Sequence, residues 1–494
     1  MSRLIVAGRE SKLSQVQIGQ FVAHLANNGI VTESKYVKTF GDIHTNVPIN
    51  QLPITNPFTK EIHQEILKGD VDLGVSSLKD VEISETDGVQ TIYFSERKNP
   101  RDILLLSKKA VDKILKGGQE ILIGTSSKRR QFLFKKIAEK ILPNRTLFNF
   151  KNIRGNITTR IEFVKSGEVD GIIIAMAGVL RLAESVQFTE TIKRLMSNTL
   201  SIVLPITHFP TPPGQGVIVA QCKNGDKYLD VQKLSNRYSK RIASLEKEEF
   251  LKYGKGCKEG YGVTHLVYKG CECTFIKGVT SAEKEINIYK NFQKPEFTKM
   301  FDGRKLRPLM QYTPIKVDIP SGVKKFIVAS INAVNSHSIV ECLQSADEVW
   351  ALGLMTQKKL IEMGILCNGN LEALGVDAFD DIYFTSNLKP LNKEEYCVLT
   401  YEGAKVHKGC QSVASYEIKV NFQHQKFHIL TQDLSLCDAV FWSSAFSYEQ
   451  FKDFFVGNTH ICLLGETYCH IKSDDIAPYG IFNFDVLDTI IGKV

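Results

Sequence analysis

Three cations stand where a helix is expected to begin. The apolar run Ile121 to Ile123 ends at Gly124, the hydroxyls Thr125, Ser126 and Ser127 follow, and Lys128-Arg129-Arg130 comes directly after. Phe134, Ala138 and Ile141 then recur at the spacing of one buried helix face, so Ser126 or Ser127 is placed to cap that helix. Lys128, Arg129 and Arg130 fall in its first turn, beside the positive end of the helix dipole. A solvated basic helix start is the plain reading of one such triplet. An anion held among them, accepting from backbone N–H groups as well, removes the electrostatic conflict. Arg154-Gly155-Asn156-Ile157-Thr158-Thr159-Arg160 brings two further arginines to the same part of the chain.

Other residues have types suited to reaction. Asp80 follows Lys79 in a loop after an apolar strand; a turn aspartate is the ordinary reading. At the mouth of a basic cleft the same carboxyl could give a proton to a leaving amine and then face the resulting cation. Cys257 lies in a glycine-flanked turn with Lys255 and Lys258 alongside, a setting that favours thiolate. His424 and His428 have metal-like spacing, but no third ligand cluster accompanies them, so no metal site is expected. Phosphate-loop, dinucleotide, serine-hydrolase and zinc-protease motifs are all missing from the sequence.

Short strands and helices alternate to position these residues. Leu4 to Ala7 turns through Gly8-Arg9-Glu10-Ser11 into a helix; Val71 to Val75 opens into Ser76-Ser77-Leu78-Lys79-Asp80; Gly171 to Ala175 precedes a helix carrying Arg181. Such alternation predicts parallel sheets with helices on both faces, where ligands bind beyond the carboxyl ends of the strands. Arg9 and Ser11, Lys79 and Asp80, Thr125 to Arg130, and the loop at Ala175 all follow strand ends, which argues for one shared cleft. Residues 41–57 read as a long surface loop or lid, 263–289 as a small antiparallel sheet, and 291–324 as a junction. From Lys325 a second alternation begins, with expected strands at Phe326 to Ala329, Glu348 to Leu352, Cys397 to Tyr401, Tyr416 to Val420, Ala439 to Trp442 and Ile461 to Leu464. Within it, the strand-end turns Ser330 to Val334 and Ser443 to Phe446 resemble each other, a weak internal duplication that fits a two-lobed domain.

Length and composition set outer limits. At 494 residues the chain has room for three or four domains, and 43% hydrophobic with 23% charged residues is ordinary for a globular protein. A net charge of +8 without a basic block gives no reason to expect nucleic acid. Eleven cysteines without a CxxC pair indicate a reducing compartment. With no signal-like start and no apolar run of spanning length, the expectation is a cytoplasmic protein with no membrane contact.

The ordered motifs narrow this further. Ala7-Gly-Arg-Glu-Ser11, Val75-Ser-Ser-Leu-Lys-Asp-Val81, Glu96-Arg-x-x-Pro-Arg-Asp102, Gly124-Thr-Ser-Ser-x-Arg-Arg-Gln131, Arg154-Gly-Asn-x-x-Thr-Arg160, Ala175-x-Ala-Gly-x-x-Arg-Leu182 and Pro213-Gly-Gln-Gly216 together resemble the porphobilinogen deaminase (hydroxymethylbilane synthase) family over about residues 1–290. The resemblance implies an α/β chain with two periplasmic-binding-protein-like domains, at 1–95 plus 199–217 and at 96–198, and a small α+β third domain at 218–300. It also implies a dipyrromethane cofactor joined by thioether to Cys257, porphobilinogen as substrate, Asp80 as catalytic acid, and a monomer. By matching positions Arg9, Ser11, Lys79, Thr125, Ser126, Ser127, Arg129, Arg130, Arg154, Gly155, Arg160, Ala175 and Arg181 would hold cofactor or substrate. Each pyrrole carries an acetate and a propionate, so two cofactor rings and four added rings bring twelve carboxylates into one cleft, which suits arginine forks. Ser76, Glu82, Pro53-Ile-Thr-Asn56 and Lys255-Gly-Cys257 depart from the family's usual residues. After a junction at 301–324, residues 325–494 resemble uroporphyrinogen-III synthase, which implies closure of the linear tetrapyrrole, with Tyr416, Ser443, Ser444 and Thr467 at the site.

Overall fold

The computed structural model describes residues 3–43, 57–82, 87–143, 146–254, 259–405, 409–427, 429–430 and 436–492. Five sheets organise them. In the first, Thr32–Val37, Leu4–Arg9 and Leu73–Ser77 run parallel; Ile218–Lys223 follows antiparallel, and Val89–Tyr93 closes the edge. The second repeats this order with Leu147–Lys151, Glu120–Gly124 and Gly171–Ala175 parallel, then Asp102–Ser107 antiparallel, then Thr199–Val203. Gly171–Ala175 is buried at every position, as expected of a strand covered on both faces.

The antiparallel member of each sheet was not expected. An apolar run has the same side-chain period whichever way its neighbour points, so sequence alone leaves strand direction open. Direction follows here from the route of the chain, which crosses from the first sheet to the second at 94–101 and returns at 204–217. Lys98 N donates to Gly216 O at 3.1 Å and Gln215 Nε2 to Pro100 O at 2.6 Å, so the two crossings are laced together.

Gly260–Tyr268, Cys271–Val279 and Glu285–Lys290 form the small antiparallel sheet expected from the sequence. The helix Arg237–Leu251 lies before it and contributes the fully buried Glu246.

Beyond residue 299 the chain forms two lobes. One holds a six-stranded sheet ordered Met310–Pro314, Gln411–Val420, Tyr396–Tyr401, Lys325–Val328, Glu348–Ala351, Gly369–Asn370, parallel except at Met310–Pro314. The other is a parallel sheet of Met300–Asp302, Ala439–Trp442, Thr459–Leu463 and Tyr479–Ile481. Met300–Asp302 and Met310–Pro314 fall in the stretch that reads as a junction. They are too short for periodicity to show, and the first is set by backbone proximity: a Cβ on Gly303 would lie 2.1 Å from Phe441 O.

These lobes are not hung on a linker. One apolar core runs from Ile103 and Val203 of the second sheet through Phe275 of the small sheet to Phe301, Trp350 and Trp442 of the lobes. Val203 N donates to Asn368 O at 2.7 Å, and Phe275 meets Phe482 edge-on at 5.7 Å between centroids. Asp485 accepts from Lys277 Nζ at 3.1 Å and from the Tyr289 hydroxyl at 2.8 Å. Among the described residues, no helix is long and apolar enough to cross a membrane.

Candidate active site between the first two sheets

Each cleft residue sits where a strand gives way to a helix. Ser11 caps Lys12–Asn27, its side chain accepting from Ser14 N, and Arg9 ends the preceding strand. Leu73–Ser77 runs into a single helical turn, Leu78–Asp80, which presents Lys79 and Asp80. Ser127, one of the two expected caps, caps Lys128–Ile141 and accepts from Arg130 N; the Ser126 hydroxyl donates to Ile153 O, and Thr125 Oγ1 accepts from Ser127 N. Gly155, at φ +104°, makes the turn between Arg154 and the helix Ile157–Lys165, a conformation that favours glycine. Ala175 is buried at the start of Met176–Glu184, which carries Arg181.

The arrangement brings most of these groups together. Arg9, Ser11, Ser14, Gln17, Phe58, Ser76, Ser77 and Asp80 line one cavity. Arg9 stacks over the Phe58 ring at 4.3 Å and donates through Nε to Asp42 at 3.1 Å. Arg154 reaches across to Gly41 O at 3.3 Å, joining the two sheets' rims. Lys79, Asp80, Arg130 and Arg160 lie close enough to perturb one another electrostatically. Arg181 is placed differently: with Gln20, His24, Phe94 and Lys98 it lines a separate opening, Nη2 donating to Gly216 O at 2.6 Å. Residue 257 and residues 44–56, which include most of the expected lid, lie outside the described residues.

The cations divide into two sets. Arg129 and Arg130 converge on the fully buried Asp102: Arg129 Nη2 at 2.6 Å, Arg130 Nε at 3.1 Å and Nη2 at 2.8 Å. Their other forks donate to Pro210 O and Ile173 O. Burial alone would raise the Asp102 carboxyl, but two adjacent guanidiniums hold it well below the usual carboxylate range. Removing one member of so buried a pair typically costs about 3–5 kcal/mol. Asp102 therefore makes this pair a fixed positive wall.

Lys79, Arg160 and Arg181 form the second set, with no carboxylate at ion-pair distance among the described residues. Burial lowers Lys79, and Arg130 and Arg160 push the same way against Asp80 and Asp102. Burial, then Arg130 and Arg154, bring Arg160 down to about 10. Burial likewise brings Arg181 to about 10, and its Nε is buried without a partner. Burying a charge, even in part, without a counter-ion is costly unless an anion joins it. Such a cleft is built for a polyanion.

The matching family model, "Porphobilinogen deaminase, dipyromethane cofactor binding domain", covers residues 4–231. A probable porphobilinogen deaminase of Ignicoccus hospitalis is 32% identical, over 52% of this chain and 79% of that protein. The chain belongs to the porphobilinogen deaminase family. Its first half is thus a deaminase of tetrapyrrole synthesis with a dipyrromethane-binding domain. A porphobilinogen deaminase of Francisella tularensis subsp. holarctica is 32% identical, covering 53% of this chain and 81% of the relative. Solved structures are more remote: a polar amino acid transporter substrate-binding protein of Streptococcus thermophilus, at 14% identity and TM-score 0.27, covers 52% of this chain and 87% of that one. The residues present suit the cofactor, since Lys79 and Arg160, without carboxylate partners among the described residues, offer what a carboxylate-bearing pyrrole pair requires.

Aromatic side chains meet between the C-terminal lobes. Tyr416 is buried, its ring 6.1 Å from Tyr312 and 6.2 Å from Tyr401; Tyr401 in turn lies 6.0 Å from Phe446 of the other lobe. Burial pushes Tyr416 and Tyr401 up to about 12, so both hydroxyls stay protonated at neutral pH. Ser444 and Ser447 form a reciprocal cap at the start of Ala445–Phe451, with Ser443 half-buried beside it. Thr467 is buried in the first turn of Glu466–Ser473. The lobes also approach closely where a Cβ on Gly465 would come within 2.8 Å of Ala373 O. Sequence reading missed Tyr401 and Tyr312; their aromatic type near Tyr416 was the available signal.

Proposed function

We propose that this chain makes uroporphyrinogen III from porphobilinogen, its first half joining four units into hydroxymethylbilane with loss of ammonia and its C-terminal lobes closing the ring. The observation that carries the first step is Asp80, on the same cavity wall as Arg9 and Ser11 and within the field of Lys79 and Arg160. In this reading the dipyrromethane, attached at Cys257, supplies the nucleophilic pyrrole carbon. Asp80 holds a proton for the leaving amine of porphobilinogen, and its carboxylate then faces the cation left on the substrate methylene. Lys79, Arg154 and Arg160 grip acetate and propionate groups; Arg9 and Ser11 orient them at the rim, and Arg181, on a separate opening, stands outside this grip. Arg129 and Arg130, pinned by Asp102, give the growing chain a fixed positive surface together with the Thr125, Ser126 and Ser127 turn and the backbone at Gly155 and Ala175.

For the second step, the lining between the lobes supports recognition by hydroxyls and shape. Tyr416 and Tyr401 present neutral donors, Ser443 and Ser444 lie at the start of Ala445–Phe451, whose Phe446 meets Tyr401, and Thr467 lies at the start of Glu466–Ser473. No strong acid or base is needed where the hydroxyl of the terminal hydroxymethyl group departs as water, pushed out by an electron-rich pyrrole and helped by a neutral hydroxyl donor. Product analysis tests the pair of activities. Purified full-length protein given porphobilinogen should yield chiefly the III isomer after oxidation to porphyrin. The I isomer alone would mean that the lobes do not cyclise.

A further inference from the structure

We propose that the C-terminal half is a working part of the deaminase, because Glu372 staples together the two segments that connect the first and second sheets. The chain passes between those sheets only at the crossings 94–101 and 204–217 among the described residues. Glu372 is almost wholly buried, and each of its oxygens holds a different crossing. Oε1 accepts from Arg101 Nε at 2.9 Å and Nη2 at 2.6 Å; Oε2 accepts from Thr207 N at 3.0 Å and Thr207 Oγ1 at 2.7 Å. Asn99 Nδ2 of the first crossing adds a bond to Asp381 O at 2.6 Å.

A second glutamate does the same at the other end of the crossings. Glu246 accepts from Arg97 Nη1 at 2.7 Å and Nη2 at 3.2 Å, and from Gly214 N at 2.8 Å. One arginine from the first crossing and a backbone N–H from the second meet a buried carboxylate in both places. Glu246 belongs to the deaminase half; Glu372 is supplied by the lobes. Glu372 and Ala373 also sit at φ +53° and +60°, a left-handed backbone that non-glycine residues rarely adopt and that only surrounding contacts maintain. Asn370 Oδ1 accepting from Glu372 N at 2.8 Å is one such contact.

The staple acts on the cleft through its neighbours. Arg101 is followed by Asp102, which fixes Arg129, Arg130 and Gln215. A hinge held at both ends keeps the cationic walls at a set separation, so that each incoming porphobilinogen finds its carboxylate partners already placed. Glu372 is thus a positioning residue for the deaminase, and the lobes restrain how far the cleft opens as the chain lengthens.

Glu372→Gln in the full-length protein keeps the shape and removes the charge. The expected result is a KM for porphobilinogen raised about 5- to 10-fold with kcat within about twofold, and a changed distribution of covalently held chain lengths in the intact mass under limiting substrate. Cofactor loading should be unaltered. Thr207→Val loosens the second crossing alone, leaves the ion pair intact, and should move KM the same way by about twofold to threefold; it also decides the matter if the first variant folds poorly. If KM and the chain-length distribution match the parent in the folded variant, with only thermal stability lowered, Glu372 is interface packing and the proposal is wrong.

Discussion

Between the first two sheets the lining side chains carry charge, whereas between the C-terminal lobes they carry rings and hydroxyls. Lys79 and Arg160 are half-buried and Arg181 is buried, none with a carboxylate at ion-pair distance among the described residues, and burial depresses the pKa of each. Tyr416, Tyr401 and Tyr312 pack against one another and are content neutral. A site that must hold a lengthening polyanion needs fixed charge; one that folds a finished chain into a ring needs a surface of the right shape. The difference also explains how clearly each site shows itself. Basic residues clustered in motifs just after strands stand out in the sequence, while tyrosines in strands look like core.

The comparison breaks most readily at Asp80. Asp80→Asn removes the proposed proton donor from the charged cleft and should lower turnover by roughly 10²- to 10⁴-fold, with the covalent dipyrromethane still present by mass. Turnover near that of the parent would remove Asp80 from the mechanism. Arg160→Gln tests whether charge does the binding: losing a charge-assisted bond of about 1.5–3 kcal/mol should raise KM for porphobilinogen roughly 10- to 100-fold, with a weaker effect on kcat. An unchanged KM would make Arg160 structural.

The C-terminal lobes should respond more gently. Tyr416→Phe removes one hydroxyl and no charge, so the III-to-I product ratio should fall roughly fivefold, the worth of about 1 kcal/mol, while porphobilinogen consumption holds steady. Loss of consumption in that variant would mean that the two halves are not separable. The smallest effect concerns pH. Burial opposes ionisation of Glu372, yet Arg101 and the Thr207 N–H lower its pKa below the unfolded value of about 4.3. Its contribution is therefore fully present above that value and is lost as pH falls through the folded pKa. Acid scans of Tm should drop less steeply in Glu372→Gln than in the parent below about pH 4; superimposable slopes would contradict the shift.

Much of the charged site was legible because its geometry is local. Ser127 capping a helix that starts with Lys128-Arg129-Arg130 follows from spacing and dipole alone. The use of Arg129 and Arg130 was not legible: both turn inward to Asp102, a residue visible in the motif but with nothing local to say it would be fully buried between them. Glu372 gave no signal, since its partners lie 271 and 165 residues away. Strand direction was lost for the same reason, and Met300–Asp302 because three residues show no period. Arg181 matched a motif position yet opens onto a different surface, a placement that only the packing of its helix decides.

The intact mass of the purified protein tests the account most directly. The account predicts a gain over the sequence mass equal to two linked pyrroles, further single-pyrrole increments on brief exposure to porphobilinogen, and loss of all of them in Cys257→Ser. A protein that consumes porphobilinogen while its mass equals that of the bare chain would contradict it.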